Sequence, residues 1–389
     1  AMSSEEELAC PGMFATFLKR MEDVTDKMLN GVIAGMDDEA RQKVLNANSD
    51  EIRKNAIEGT NYTARIIPFY MGNQYFMMVY ETFNDIRFVG APPSAIGKFG
   101  GETDNWVWPR HTGDFSLFRI YANKDNKPTG YSKDNVPYKP LYHFPISLKG
   151  VHEGDFTMVF GYPGSTSEYA PSYYIDMVKN YFNPKRIAIN TAKIEIMEAA
   201  MNTDPLIRLQ YSAKKSGIAN GWKKSIGENQ GLKRMKTIEK KQEYERRLTE
   251  WINEDESRKT KYGHLLPSYE KLYSQLRDYQ LVNSFTNDAF FSSGAEAVGF
   301  ARNMMTLAGL YETRQPDEAR ISVVRSELLL GAKGFFKNYN RETDKKLFVA
   351  VMKIYGDNLD PKWQAPEYIK IRYSCNGDFQ ALANKLYPA

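Results

Sequence analysis

The spacing of apolar residues changes near residue 165, and that change narrows the folds open to this chain more than any other feature. Before it, the pattern mostly alternates. Residues 62–70 and 74–83 are rich in β-branched and aromatic side chains, and Met71-Gly72-Asn73 lies between them, which predicts a β-hairpin. Residues 115–121 and 156–160 predict two further strands, separated by loops rich in Pro, Gly and Asn. One helix interrupts this part. From Asp37 to Glu58, Val44, Leu45, Ile52, Ala56 and Ile57 recur at helical spacing, behind an acidic start that suits a helix N-terminus.

After about residue 175 the period becomes 3.6. Asn183-Pro184 reads as an N-cap followed by proline at the first helical position. Residues 185–201 then place Ile187, Ile189, Ala192, Ile194, Ile196 and Met197 in a broad apolar band. A long helix is predicted over 231–252, with Leu232, Met235, Ile238, Leu248 and Trp251 on its stripe. Further helices fit 268–284, 295–310, 317–330, 343–355 and 378–386, joined by short polar loops as in a bundle. The pair Asn220-Gly221 predicts a break in the helical run. The turn-dense stretch 161–167 marks the join between the two patterns. The expectation is an α+β chain, with a β-rich part over 1–165 and an all-helical part over 166–389.

Composition excludes several classes. No apolar run is long enough to cross a bilayer, and Ser3 to Leu8 has neither the basic start nor the apolar stretch of a signal peptide. The two cysteines, Cys10 and Cys375, cannot build a disulfide framework. His111, His143, His152 and His264 show no metal-ligand spacing, so no metal and no cofactor is expected. The net charge of +4 is local: residues 208–262 carry 15 Lys/Arg against 8 Asp/Glu. This stretch fits a solvated helix face laced with pairs such as Glu243 and Arg247. It also fits a surface for acidic peptide or nucleic acid, which would make the chain a non-catalytic binding module.

Candidate chemistry concentrates in residues 103–121. A polar loop ends in Gly113-Asp114 and runs straight into an apolar strand. A carboxylate at the mouth of a strand is where a protease needs one to orient a catalytic histidine through its Nδ1–H. The same pattern fits a turn aspartate capping its own backbone. Within the loop, Asn105, Trp106 and Trp108 could form an aromatic wall with a directed amide, suited to a charged amine because ring faces attract cations. Indoles pinning the loop would look the same. Asn220 could line a cleft at a helix break or simply end a helix. His111 is only three residues from Asp114, too close to form a relay, and Ser165 lacks the surroundings of a nucleophile elbow. Gly97, Gly100 and Gly101 lack the strand and helix context of a nucleotide fold.

Several blocks carry a resemblance. They are Phe-Val-Gly-Ala-Pro-Pro-Ser-Ala-Ile-Gly-Lys-Phe-Gly-Gly at 88–101, Thr-Asp-Asn-Trp-Val-Trp-Pro-Arg-His-Thr-Gly-Asp at 103–114, Asn-Gly-Trp-Lys-Lys at 220–224 and Gly-Glu-Asn at 227–229. Together they closely resemble the bacterial serine dipeptidyl-peptidases of the dipeptidyl-peptidase 7 and 11 family, and the likeness extends along most of the chain. The resemblance implies a chymotrypsin-like double β-barrel with a Ser/His/Asp triad and an inserted helical domain that caps the cleft. Carried over, it makes Asp114 the triad aspartate, and Asn105, Trp106 and Asn220 the clamp for the substrate's free α-amino group.

It further implies peptide substrates with a free N-terminus, no nucleic-acid partner, no membrane span, a homodimer as the full-length enzyme, and a periplasmic or cell-surface location. The family's triad histidine lies in a Thr-Asn-His-His-Cys-like block and its serine in a Gly-Asn-Ser-Gly-like block. Neither block occurs in these 389 residues. The chain is therefore expected to be an internal fragment. Residues 1–165 would be an incomplete barrel and 166–389 a truncated helical cap, inactive alone.

Overall fold

The alternating segments of the first half become strands. A computed structural model describes the chain except for Met2, Glu102, residues 159–166, Glu168, and residues 292–293, 314–316 and 388–389. It divides into two compact units. Unit 1 is Ala1–Phe99 with Gly113–Met158, and unit 2 is Gly100–Thr112 with Val159–Ala389. The loop at 100–112 therefore leaves the β-rich part of the sequence and belongs to the helical unit.

Among the described residues nine strands lie in unit 1: β1 Leu8–Ala9, β2 Ala15–Asp23, β3 Thr63–Phe69, β4 Gln74–Phe83, β5 Asp85–Gly90, β6 Lys98–Phe99, β7 Gly113–Asp114, β8 Leu117–Ala122 and β9 Val136–Pro137. The predicted hairpin is present, with β3 and β4 antiparallel from Thr63↔Tyr80 to Phe69↔Gln74. β2 pairs on the other side of β4, giving the order β2-β4-β3. The helix predicted from Asp37 spans Asp38–Ile57, and the Asp37 carboxylate caps it by accepting the Ala40 N–H at 2.9 Å. Its Leu45 packs with Val24, Met28, Tyr75, Met77 and Val79, so this helix and the short helix Thr25–Leu29 together cover the sheet's apolar face.

A second sheet runs β1-β5-β8-β9. Arg87 donates to the buried Asp85 carboxylate and lies over the Tyr121 ring at 3.6 Å. Glu7 accepts from the Tyr121 hydroxyl and from Arg119, tying the short β1 into the sheet. Both sheets are open: among the described residues no first strand bonds a last one, as closure requires, so a closed barrel is not formed within this chain's described residues. The expected strand at 156–160 is likewise not formed over 156–158, and its last two residues lie outside the described residues. An extended segment becomes a strand only where a neighbouring edge takes up its N–H and C=O groups. Leu141, Ile146, Leu148 and Phe156 all stand more than four-fifths exposed, so this segment has no such edge. The join at 161–167 also lies outside the described residues, apart from Ser167.

Unit 2 is helical. Its main core gathers Ile189, Phe285, Ala289, Val351, Tyr355, Tyr368, Phe379 and Ala383. No helix among the described residues is long and apolar enough to cross a membrane. The helix expected over 295–310 forms as two, Glu296–Asn303 and Met305–Tyr311, and three further boundaries differ from the sequence expectation. Asn183 is not an N-cap, because a π-helical segment, Met177–Phe182, feeds directly into helix Asn183–Met201. Its buried amide instead donates to Glu228 and Asn229. The predicted helix over 231–252 is divided at Lys236, which takes φ +50 between helices Pro205–Arg234 and Thr237–Asn253.

The third difference bears on function. Helix Pro205–Arg234 runs unbroken through Asn220-Gly221. An interior glycine costs only about 1 kcal/mol against alanine. Burial of the adjacent Ile218 and Ala219 within the helical unit offsets that cost.

Candidate functional site

The described residues of 100–112 form an irregular loop whose shape is set by two tight places. Gly100 has φ +71, and a Cβ there would collide with the His111 carbonyl and the Thr112 side chain. Only glycine meets both demands. Further along, Trp106 itself takes φ +59, uncommon for a bulky side chain. Such a conformation costs on the order of 1–3 kcal/mol and persists only where neighbours over-determine it.

Those neighbours are on helix Pro205–Arg234. The Trp106 indole Nε1 donates to the Asn220 side-chain oxygen at 2.8 Å, and the Asn105 amide donates to that same oxygen at 3.1 Å. Two donors occupy both lone pairs of the Asn220 carbonyl. The loop and the helix, more than a hundred residues apart in sequence, thus meet at one atom. Asn105 keeps its own oxygen turned towards the Arg110 guanidinium, at a long 3.4 Å. Trp106 is half exposed and Trp108 almost wholly so. Trp106 is therefore pinned at its edge by Asn220 while part of the indole stays open to solvent.

Asp114 lies in unit 1, on the two-residue strand β7, opposite Lys98 of β6. Gly113 before it passes so close to the Phe99 ring that a Cβ would sit 2.5 Å from a ring carbon. The next residue, Phe115, donates its N–H to the Gly97 carbonyl. The carboxylate is exposed, and within its unit it accepts no hydrogen bond among the described residues, so it does not cap its own turn. The structure thus brings Asn105, Trp106 and Asn220 together within unit 2, while Asp114 belongs to a close-threaded turn of unit 1.

Sequence reasoning missed two residues. Lys223 donates from its Nζ to the Thr103 carbonyl at 3.0 Å. Gly227 faces the loop with the Trp106 carbonyl oxygen 3.8 Å from where its Cβ would be. With Asn220 they stand at i, i+3 and i+7, one face of a helix. The expected break at Asn220-Gly221 hid that spacing.

Comparison with known proteins agrees with the motifs. The chain belongs to the peptidase S46 family, whose model matches residues 1–389. It is similar to the Asp/Glu-specific dipeptidyl-peptidase of Capnocytophaga gingivalis, 40% identical over 387 residues, covering 100% of this chain and 53% of that protein. It is also similar to dipeptidyl-peptidase 7 of Porphyromonas gingivalis, 39% identical over 367 residues, covering 94% of this chain and 49% of that protein. Among solved structures it resembles Porphyromonas endodontalis DPP11 in complex with the dipeptide Arg-Glu. The TM-score is 0.81 at 29% identity, over 99% of this chain and 55% of that one. The chain spans about half the length of the curated relatives it matches.

Proposed function

We propose that in the full-length protein this S46 chain holds the free amino end of a peptide, and that the enzyme releases dipeptides from that end. The observation that carries this reading is the meeting of Asn105 and Trp106 on the Asn220 oxygen. That oxygen is filled by its two donors, so it orients the other groups rather than meeting the ligand. The acceptor left for an ammonium is the Asn105 oxygen, where it would replace the long Arg110 contact, with the open Trp106 indole beside it. A charge-assisted hydrogen bond of this kind contributes about 1.5–3 kcal/mol. An ammonium fixed at one point sets how many residues separate the amino end from the reacting peptide bond, which is how an exopeptidase counts to two.

The chemistry is acyl transfer to a serine. Asp114 is read as the carboxylate that orients the triad histidine, on a turn whose backbone Gly113 and Phe115 hold in place. The sheets of unit 1 supply barrel strands in this reading, and unit 2 supplies the amine-binding residues. The names of the curated relatives, dipeptidyl-peptidase 7 and Asp/Glu-specific dipeptidyl-peptidase, support the same activity. The binding-module alternative has less to stand on. Lys214, Lys215, Lys224, Arg246, Arg247, Arg258 and Lys259 of the basic stretch all make ion pairs with nearby glutamates.

Incubating the full-length protein with an unblocked peptide and following products by mass spectrometry tests the reading. Successive dipeptides are expected from the amino end, and none from the N-acetylated peptide. Single amino acids, internal cleavage, or equal turnover of the blocked peptide would overturn it.

A further inference from the structure

Loop 100–112 carries both residues read as meeting the amine, Asn105 and Trp106, yet its own sequence does not favour the shape it holds. Trp106 sits at φ +59, where a bulky residue is strained. Asn220 binds the side chains of the loop, not its backbone. Within the loop, the Asp104 N–H donates to the Gly100 carbonyl, and that bond closes only the first turn. The strain at Trp106 needs a further restraint on the stretch just before it.

Lys223 supplies one. Its Nζ reaches the Thr103 carbonyl at 3.0 Å, three residues before Trp106, from a position one helical turn beyond Asn220. A charged donor on a backbone carbonyl makes a stronger bond than a neutral one. Gly227, one turn further, faces the Trp106 carbonyl, whose oxygen lies 3.8 Å from where a Cβ would be, an ordinary contact distance. The stripe Asn220, Lys223, Gly227 thus meets the loop at its side chains, the Thr103 carbonyl and the Trp106 carbonyl in turn. The helix itself is fixed in rotation by bonds from other faces. Trp222 donates to the Thr191 hydroxyl at 2.8 Å, and the buried Asn183 amide donates to Glu228 and Asn229.

We infer that Lys223 is a positioning residue: it anchors the Thr103 carbonyl so that Asn105 and Trp106 are held in register with Asn220 before a peptide arrives. It touches no substrate, and its effect passes through the loop. The inference rests on the amine-binding reading of that loop.

The test compares Lys223→Met, Lys223→Arg and Asn220→Ala in the full-length enzyme. KM and kcat are measured with a free-amine dipeptidyl substrate, and backbone hydrogen exchange is followed over residues 100–112. Lys223→Met is expected to raise KM about five- to tenfold, leave kcat within about twofold, and speed exchange in the loop alone. Lys223→Arg keeps a cationic donor and is expected to restore most of both. Added to Asn220→Ala, Lys223→Met should cost little more, because the loop has then already lost its side-chain partner. If Lys223→Met leaves KM and loop exchange unchanged while Asn220→Ala raises KM, Lys223 does not position the loop. If the loop loosens in both variants and KM moves in neither, the amine-binding reading falls, and the role of Lys223 with it. A fall in melting temperature with faster exchange throughout unit 2 would make Lys223 a general stabilising residue and overturn the inference as well.

Discussion

Asn105 donates its side-chain amide to the Asn220 oxygen at 3.1 Å across 115 residues of sequence. Trp106 adds a second donor to the same atom at 2.8 Å, so one helix residue sets the direction of two loop side chains. The roles of the indole can be separated. Trp106→Phe keeps a ring face and loses the Nε1 donor, a neutral hydrogen bond of about 1 kcal/mol. It is expected to raise KM for free-amine substrates about fivefold in the full-length enzyme. Trp106→Ala loses ring and bond together and is expected to cost several times more. Equal KM values for the two variants would contradict a cation-binding role for the ring.

The unbroken helix through Asn220-Gly221 gives a prediction about stability. Gly221 lies in helical geometry with nothing within 4 Å of its missing Cβ. Gly221→Ala is therefore expected to stabilise unit 2 by about 0.5–1 kcal/mol, read as a rise in urea midpoint. A break at this position would instead make alanine destabilising.

Lys193 is wholly buried in unit 2, its Nζ bonded to the Asp288 carbonyl. Burial pushes its ammonium down from 10.5 to about 8, opposed by the Asp288 charge and reinforced by Arg186. Between those two pH values the unfolded chain keeps a proton that the folded chain has released. Stability therefore rises with pH through this window, and the burial penalty is felt in full below pH 8. Raising the pH from 7 to 10 should stabilise the wild type by about 2–3 kcal/mol relative to Lys193→Met. Parallel stability profiles for the two proteins would show that Lys193 is not depressed.

Asp114 yields a sharper expectation for chemistry than for binding. In the full-length enzyme, Asp114→Asn should keep the turn and remove the charge that steadies a histidinium. A fall in kcat of about 10³–10⁴-fold with KM little changed is expected. Activity within a few-fold of wild type would remove Asp114 from the triad. By the same reasoning the 389-residue chain alone, without the histidine and serine blocks, is expected to release no dipeptide above background.

Much of the architecture was legible because local and tertiary signals agree. Asp37 caps the helix that its acidic start predicted, and Met71-Gly72-Asn73 joins the two strands that alternate around it. The failures have a common cause, in that tertiary partners outweigh local preference. Asn183 looks like a cap, yet its amide is drawn to Glu228 and Asn229 on another helix. Asn220-Gly221 looks like a stop, yet the packed residues beside it carry the helix through. The strand expected at 156–160 is not formed over 156–158, where no neighbouring edge takes up the backbone groups. At the site, Asn105, Trp106 and Asn220 could be named from motifs. Lys223 and Gly227 lie in the same motifs, but the motifs do not single them out, because their shared face with Asn220 exists only on an unbroken helix.

The most direct measurement is the ratio of kcat/KM for a free-amine dipeptidyl substrate to that for its N-acetylated twin, in the full-length enzyme and in Asn105→Ala and Asn220→Ala. The clamp predicts a wild-type ratio well above 100. It also predicts that either substitution lowers kcat/KM for the free amine by about 10- to 100-fold and leaves the blocked substrate unchanged. Equal losses for both substrates, or a wild-type ratio near one, would contradict the clamp.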